Sequence, residues 1–229
     1  MKAILMCAGK ATRLKPLTEK IPKSLLIIKN KAIIEHTLDS LSGIIKEAVI
    51  VVGYLKEKII EKIGNKYKDI SIEYVTQKNI CGTGNAVYEC KNFFSPSEKF
   101  LILNGDDLYD KKDIENLVNN ELAILTAEVQ DPSKYGVIKK DKDSNLLSII
   151  EKPSFWVVNS INTGCYLLNY DIYDFIKDLK PSQRGEIELT AAVELLSKYN
   201  KIKVVSVKKF WIPVNSHSDY DHAKNVFIS

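Results

Sequence analysis

The sequence predicts an α/β fold, three layers built on a mixed, mostly parallel sheet, and three observations carry that reading. Short apolar runs alternate with amphipathic stretches through the first half of the 229 residues. The first run, Ala3-Ile4-Leu5-Met6-Cys7, empties into a small-residue loop, and a later one, Phe100-Leu101-Ile102-Leu103, ends in Asn104-Gly105-Asp106-Asp107. Glycines and carboxylates at the carboxyl ends of strands mark the edge where open α/β sheets bind ligands.

The elements follow in order. Strand 3–7 precedes helix 33–43, strand 47–52 precedes helix 55–64, and strand 71–76 precedes a helix from about 83 to 92, an alternation that implies parallel strands with right-handed crossovers. Ile33, Ile34, Thr37, Leu38 and Leu41 fall close to a 3.6-residue period, and Gly43 ends their helix. Strand 100–103 comes next. Beyond residue 120 the rhythm changes to strand-like runs at 122–129, 135–139, 146–151 and 163–168. Helices return at about 171–179 and 186–198, followed by strands 203–207 and 211–214 and a short helix from about 217. With no Pro/Gly/Ser linker, the expectation is one domain over 1–229. Its first half, about 1–120, carries the glycine loop, and its second, about 121–229, is laid over the carboxyl edge of the first. No hexapeptide repeat, and so no carboxy-terminal β-helix, is expected.

Composition excludes several classes of function. Hydrophobic residues make up 45% and charged residues 27%, ordinary for a soluble enzyme, and the formal charge of +4 is spread over surface helices such as Lys56-Glu57-Lys58. No basic cluster interleaves with aromatics, so nucleic acid is not an expected partner. No 18-residue apolar run or leader is present to suggest a membrane. The four cysteines form no C-x-x-C pair and sit in or beside apolar runs, as reduced core residues of a cytoplasmic protein would. His36, His217 and His222 have no zinc-ligand spacing. Homo-oligomerisation stays open.

The chemistry concentrates in residues 8–25. Ala8-Gly9-Lys10-Ala11-Thr12-Arg13-Leu14 runs into Pro16-Leu17-Thr18 and Pro22-Lys23-Ser24-Leu25. Backbone amides after a buried strand suit phosphate oxygens, and Arg13 and Lys23 add a forked and a compact cation. Together these read as a triphosphate clamp. At Asp106, a carboxylate beside a glycine can hold Mg²⁺, although the same residue could instead cap a helix near 111. Asp107, on a continuing extended backbone, would point the other way.

This segment resembles the G-x-G-T-R-L-x-P-x-T-x-x-x-P-K signature of the sugar-1-phosphate nucleotidylyltransferases, in particular the glucose-1-phosphate thymidylyl- and uridylyltransferases. The resemblance implies a Rossmann-like domain of the nucleotide-diphospho-sugar transferase type, with a nucleotide-binding and a sugar-phosphate-binding half. It also implies an enzyme that joins UTP or dTTP to a hexose 1-phosphate, with Mg²⁺ as cofactor and pyrophosphate released. Ala8 to Arg13 would then hold the nucleotide's phosphates, with Arg13, Lys23 and Asp106 catalytic. Ala11 stands where relatives usually have glycine, so a positive φ there would cost on the order of 1 kcal/mol.

Further segments match. Gln77 with Gly82-Thr83 resembles the base-binding Q-x-x-x-x-G-T, where a primary amide can pair with the imide edge of uracil or thymine and Gly82 lets the backbone pack against the ring. Tyr135-Gly136-Val137, Glu151-Lys152-Pro153 and Asn162-Thr163-Gly164 resemble the family's Y-G-V, E-K-P and N-x-G. With Asn104 they imply a sugar-phosphate site in which Glu151 takes hydroxyls, Lys152 the phosphate, and Gly136 and Gly164 the face of the ring. Arg184-Gly185-Glu186-Ile187-Glu188-Leu189-Thr190 matches a helix start, with Ala191 replacing the usual Asp and Glu186 and Glu188 favouring the helix's amino end. Near the end of the chain, Trp211-Ile212-Pro213-Val214-Asn215 resembles the segment that supplies the second metal ligand. Pro213 cannot ligate and Asn215 can. Three other readings remain: a cytidylyltransferase acting on phosphocholine or an inositol phosphate, a catalytically weak nucleotide-sugar-binding regulatory protein, and a glycosyltransferase of related fold.

Overall fold

A computed structural model describes residues 1–156 and 158–227. In chain order the strands and helices are β1 (Lys2–Met6), the short pair β2 (Ile27–Ile28) and β3 (Lys31–Ala32), α1 (Ile33–Leu41), β4 (Glu47–Val52), α2 (Lys56–Ile63), β5 (Lys66–Tyr67), β6 (Ile70–Thr76), α3 (Thr83–Tyr88), β7 (Lys99–Asn104), β8 (Leu108–Tyr109) and α4 (Lys111–Val118). The second half adds β9 (Ala123–Glu128), β10 (Gly136–Lys140), β11 (Leu146–Glu151), β12 (Ser160–Asn169), α5 (Ile172–Lys177), α6 (Leu189–Ser197), β13 (Lys203–Ser206), β14 (Trp211–Ile212) and α7 (His217–Val226).

The main sheet runs β11-β10-β12-β7-β1-β4-β6-β5, and β9 joins β12 to β13. Its centre, β7-β1-β4-β6, is parallel, as the strand-helix alternation requires. Antiparallel β12 continues the sheet from β7 into the second half. Alternate residues of β1 feed opposite faces: Ile4 enters one core with Ala86 and Leu189, and Ala3 and Leu5 enter the other with Ile34 and Ile114.

A third core matters most for the site. Leu14, Leu26, Ile28, Ile33, Val214 and Ala223 cluster together, pinning the 8–28 excursion against β14 and α7. Leu14, fully buried at the end of the turn Thr12–Leu14, anchors the loop on which Arg13 rides. Burying a side chain of that size contributes about 1.5–3 kcal/mol, enough to fix a loop with little regular structure.

Two helices differ from the sequence expectation. The helix expected from 186 begins at Leu189, because Ile187 donates its amide to Cys81 O and accepts from Gly84 N instead of entering a helix. Glu188 is therefore the residue before the helix, and it turns its carboxylate to Arg184 rather than to the helix amides. The helix expected to reach 92 stops at Tyr88 and gives way to a tight turn at Lys91–Phe93. α4 is capped by Asp110, which accepts from Lys112 N at 2.8 Å, so Asp106 is not spent on capping.

Candidate active site

β1 and β7 lie side by side in parallel, with Met6 opposite Asn104. Their carboxyl ends are tied by Gly105 N donating to Met6 O at 3.1 Å. A Cβ on Gly105 would meet Cys7 Sγ at 2.2 Å, so only glycine lets the chain turn this close to β1 and deliver two consecutive carboxylates.

Both carboxylates reach one cation. Lys23 Nζ lies 3.0 Å from Asp106 Oδ2 and 3.5 Å from Asp107 Oδ1, and donates to Asn215 Oδ1 at 3.2 Å. The expectation that Asp107 points away does not hold, because the backbone turns after Gly105 instead of continuing as strand. Lys23 is 6% exposed and Asp107 2%, so these are interior charges, whereas the Asp106 side chain is 28% exposed. Burial alone would depress the Lys23 pKa, but Asp106 and Asp107 outweigh it and leave it raised. Burial raises that of Asp107, partly opposed by Lys23. Asp107 also accepts from Val214 N and Asn104 Nδ2, both at 3.3 Å. Ser216 Oγ caps α7 by accepting from Asp219 N, and Asp219 Oδ2 accepts from Asn215 N at 2.9 Å, fixing the backbone that presents Asn215.

This donor set fits a hard cation. A carboxylate oxygen and an amide oxygen converge on a seated positive charge, and Asp106 remains open to the cleft.

Two cavities flank the cluster. One, of about 310 Å³, is lined by Ala8, Gly9, Lys23, Gln77, Gly82 and Asp106. The other, of about 150 Å³, is lined by Asp107, Gly136, Glu151, Asn162 and Gly164. Thr83, Asn104 and Asn215 line both, so the two share a wall. The structure thus gathers most of the expected residues in two adjoining chambers. Lys10, Ala11, Thr12 and Arg13 do not line either, and Arg13 is exposed on the turn Thr12–Leu14. Ala11 adopts φ 47°, the left-handed conformation that relatives meet with glycine, held by Thr18 Oγ1 donating to its carbonyl at 2.9 Å. By contrast, a Cβ on Gly9 would touch nothing within 4 Å. The fold itself does not demand that glycine.

The glycines also serve the protein's own packing, and one sequence assignment changes. Gly82 lines the larger chamber, and an added Cβ there would run into the backbone of Ile187. Gly136 and Gly164 line the smaller chamber and also make room for side chains, since added Cβ atoms would crowd Glu151 Oε1 and Asn104 Nδ2. Lys152 does not join Glu151 in the smaller chamber. Its backbone turns left-handed at φ 44°, and it lines an outer cleft of about 600 Å³ that Glu151, Glu188 and Thr190 border as well.

Gln77 is 4% exposed and donates Nε2 to Gly82 O at 3.0 Å and to Asn85 Oδ1 at 2.9 Å. The Gly82 carbonyl fixes which way the amide faces, leaving Oε1 as its uncommitted atom among the described residues. Sequence reasoning missed two supports of the smaller chamber: Thr190 Oγ1 donating to Glu151 Oε1 at 2.8 Å, and the edge-on pair of Tyr135 and Trp211 on its wall. Both lay within quoted motifs, but nothing in their spacing showed which neighbour each would meet.

Residues 2–228 match the family model described as Nucleotidyl transferase. The chain belongs to the nucleotidyl transferase family. It is 38% identical over 231 residues to a bifunctional protein GlmU of Methanococcus maripaludis, an alignment that covers 100% of this chain and 55% of that protein. It is 37% identical over 218 residues to a bifunctional sugar-1-phosphate nucleotidylyltransferase/acetyltransferase of Sulfurisphaera tokodaii, covering 93% of this chain and 52% of that one. This nucleotidyl transferase therefore spans about half the length of those relatives. A UTP–glucose-1-phosphate uridylyltransferase AglF of Haloferax volcanii is 28% identical over 233 residues, with 98% of this chain and 95% of that protein covered. Among solved structures, a UDP-glucose pyrophosphorylase complexed with UDP-glucose superposes with a TM-score of 0.88 at 25% identity, covering 98% and 97% of the two chains. Among the described residues, no helix is long and apolar enough to cross a membrane.

Proposed function

We propose that this chain is a Mg²⁺-dependent nucleotidylyltransferase that transfers the nucleotidyl group of UTP or dTTP to a hexose 1-phosphate. The observation that carries the reading is the shared wall: two chambers meet at Thr83, Asn104 and Asn215, with Lys23 and Asp106 at the seam. Two phosphate-bearing substrates that react at one phosphorus need this layout. The relatives' names supply the chemistry, since they are sugar-1-phosphate nucleotidylyltransferases.

In the proposed reaction an oxygen of the acceptor phosphate bonds to the α-phosphorus while the bond to the bridging oxygen breaks and pyrophosphate leaves. The acceptor is already ionised, so no general base is required. Lys23 and Asp106 position the groups at the seam, and Arg13, exposed on its turn, would meet the departing pyrophosphate. A positioned cation is worth most where charge spreads in the transition state. Asp106 and Asn215 would hold Mg²⁺, which when bound neutralises charge on the phosphate oxygens. On the base side, Gln77 Oε1 is an acceptor suited to the imide N–H of uracil or thymine, and it has no donor to offer the ring nitrogen of cytosine.

The test is a matrix of five nucleoside triphosphates against several sugar 1-phosphates, read as pyrophosphate release. Turnover with UTP or dTTP and a hexose 1-phosphate is expected. Turnover only with CTP and a phosphorylated alcohol, or none at all, would contradict the reading.

A further inference from the structure

An ammonium carries three N–H donors, and three oxygens stand around that of Lys23: Asp106 Oδ2 at 3.0 Å, Asn215 Oδ1 at 3.2 Å and Asp107 Oδ1 at 3.5 Å. The oxygens are not equivalent. The Asp107 carboxylate also accepts from Val214 N and Asn104 Nδ2, so it is fixed to the end of β7 and to the segment after β14. Asp106 Oδ2 and Asn215 Oδ1 have no protein partner other than Lys23 among the described residues. They belong to the two residues expected to ligate Mg²⁺. Two cations held on the same pair of oxygens would repel each other strongly in a place as poor in water as that of the buried Lys23. Lys23 has somewhere else to turn, because it lines the larger chamber together with Ala8 and Gly9.

We propose that the Lys23 ammonium and the divalent cation are alternative occupants of the Asp106–Asn215 pair, so that Lys23 holds the place of the metal and must give the pair up before the metal is bound. The inference rests on the reading of Asp106 and Asn215 as the metal ligands and adds how that site is filled. Lys23 keeps Asp107, whose other bonds anchor it, and two of its N–H donors are released. The larger chamber is where a triphosphate would offer oxygens to those donors, in charge-assisted bonds that replace the ones surrendered. Lys23 thus turns to phosphate as the pair is freed, and nucleotide and metal should each favour the binding of the other. The adjacent carboxylates divide the work. Asp106, open to the cleft, is the exchangeable partner, and the buried Asp107 is the fixed counter-charge.

The experiment is calorimetric titration of the full chain with Mg²⁺, without nucleotide, in three forms: wild type, Lys23→Ala with Asp107→Asn, and that double variant with Asp106→Asn added. The double variant loses one positive and one negative charge, so the net charge that meets an incoming cation is unchanged and no buried carboxylate is left unpaired. It is expected to bind Mg²⁺ at least about tenfold tighter than wild type, the scale of a hydrogen bond to a charged group that no longer has to be displaced. Adding Asp106→Asn is expected to abolish that binding. In wild type the nitrogen-15 signal of the Lys23 ammonium, assigned by its loss in Lys23→Arg, is expected to fade as Mg²⁺ reaches saturation, because an ammonium released from buried oxygens exchanges its protons with water. Binding by the double variant no tighter than that of wild type, or a Lys23 signal unchanged at saturation, would overturn the exchange. The two readings fail differently. Equal affinities that are lost with Asp106→Asn would leave the metal ligands standing without the exchange, whereas binding that survives Asp106→Asn would put the ion elsewhere and remove both.

Discussion

The ammonium of Lys23 and the carboxylate of Asp106 lie 3.0 Å apart, and the same nitrogen also meets Asp107 and Asn215. One side chain thus fixes both residues expected to hold the metal and neutralises a third that is almost wholly buried.

Lys23→Ala is therefore expected to do more than slow the reaction. It leaves Asp107 as a buried charge without its cation, a loss that typically costs about 3–5 kcal/mol. Denaturant unfolding near neutral pH should show it, together with a fall in turnover of at least about 100-fold. Adding Asp107→Asn to Lys23→Ala should restore most of the stability and none of the activity. The sign of the pH dependence at the alkaline end follows: the Lys23 pKa is raised above its ordinary 10.5, so the lysine's contribution is present below that pH and is lost as pH climbs through the folded value. A Lys23→Ala protein as stable as wild type would remove the buried-pair argument.

Asn215→Asp adds a carboxylate where an amide oxygen now faces Lys23. The Mg²⁺ concentration for half-maximal rate should fall, because a second charged oxygen binds a hard cation more tightly. Pro213→Asp should be silent in the same titration. Sharpening by Pro213→Asp with no effect of Asn215→Asp would shift the metal segment by two residues.

Gly164 sits at φ +75° with its missing Cβ directed at the Asn104 amide. Gly164→Ala should displace Asn104 and raise KM for the sugar phosphate several-fold, with a stability cost of about 1–3 kcal/mol from backbone strain. KM for the nucleotide should change less. Equal rises in both would mean that the wall between the chambers moves as one piece.

Much of this was legible in the sequence, and particular residues show where legibility ended. The order of strands and helices follows from local periodicity, which is why β1, β4 and β7 and most of the expected site residues came out where expected. Contacts between distant segments leave no local trace. Ile187 fills the space beside Gly82, Asn104 fills that beside Gly164, and neither glycine reveals from sequence whether a ligand or the protein is its neighbour. Strand alternation would turn Asp107 away from Asp106, but it ends at Asn104, and the chain turns at Gly105. Lys23 reads as a surface loop lysine until the third core folds its segment inward.

Base choice gives a further check. Gln77 commits both donors' worth of its amide nitrogen to Gly82 and Asn85, leaving an acceptor for the base. UTP or dTTP should exceed ATP and CTP by about tenfold, since a buried polar group left unmatched costs about 1–3 kcal/mol. Gln77→Leu should flatten that preference. Equal use of ATP by the wild type would sink the assignment.

Nucleotidyl transfer at the seam held by Lys23 and Asp106 can be followed in a single-turnover assay of wild type and Asp106→Ala with UTP, a hexose 1-phosphate and Mg²⁺. One equivalent each of pyrophosphate and nucleotide sugar is expected from wild type, and no product from Asp106→Ala at any Mg²⁺ concentration. Product formation by Asp106→Ala at a rate near that of wild type would contradict transfer at that seam.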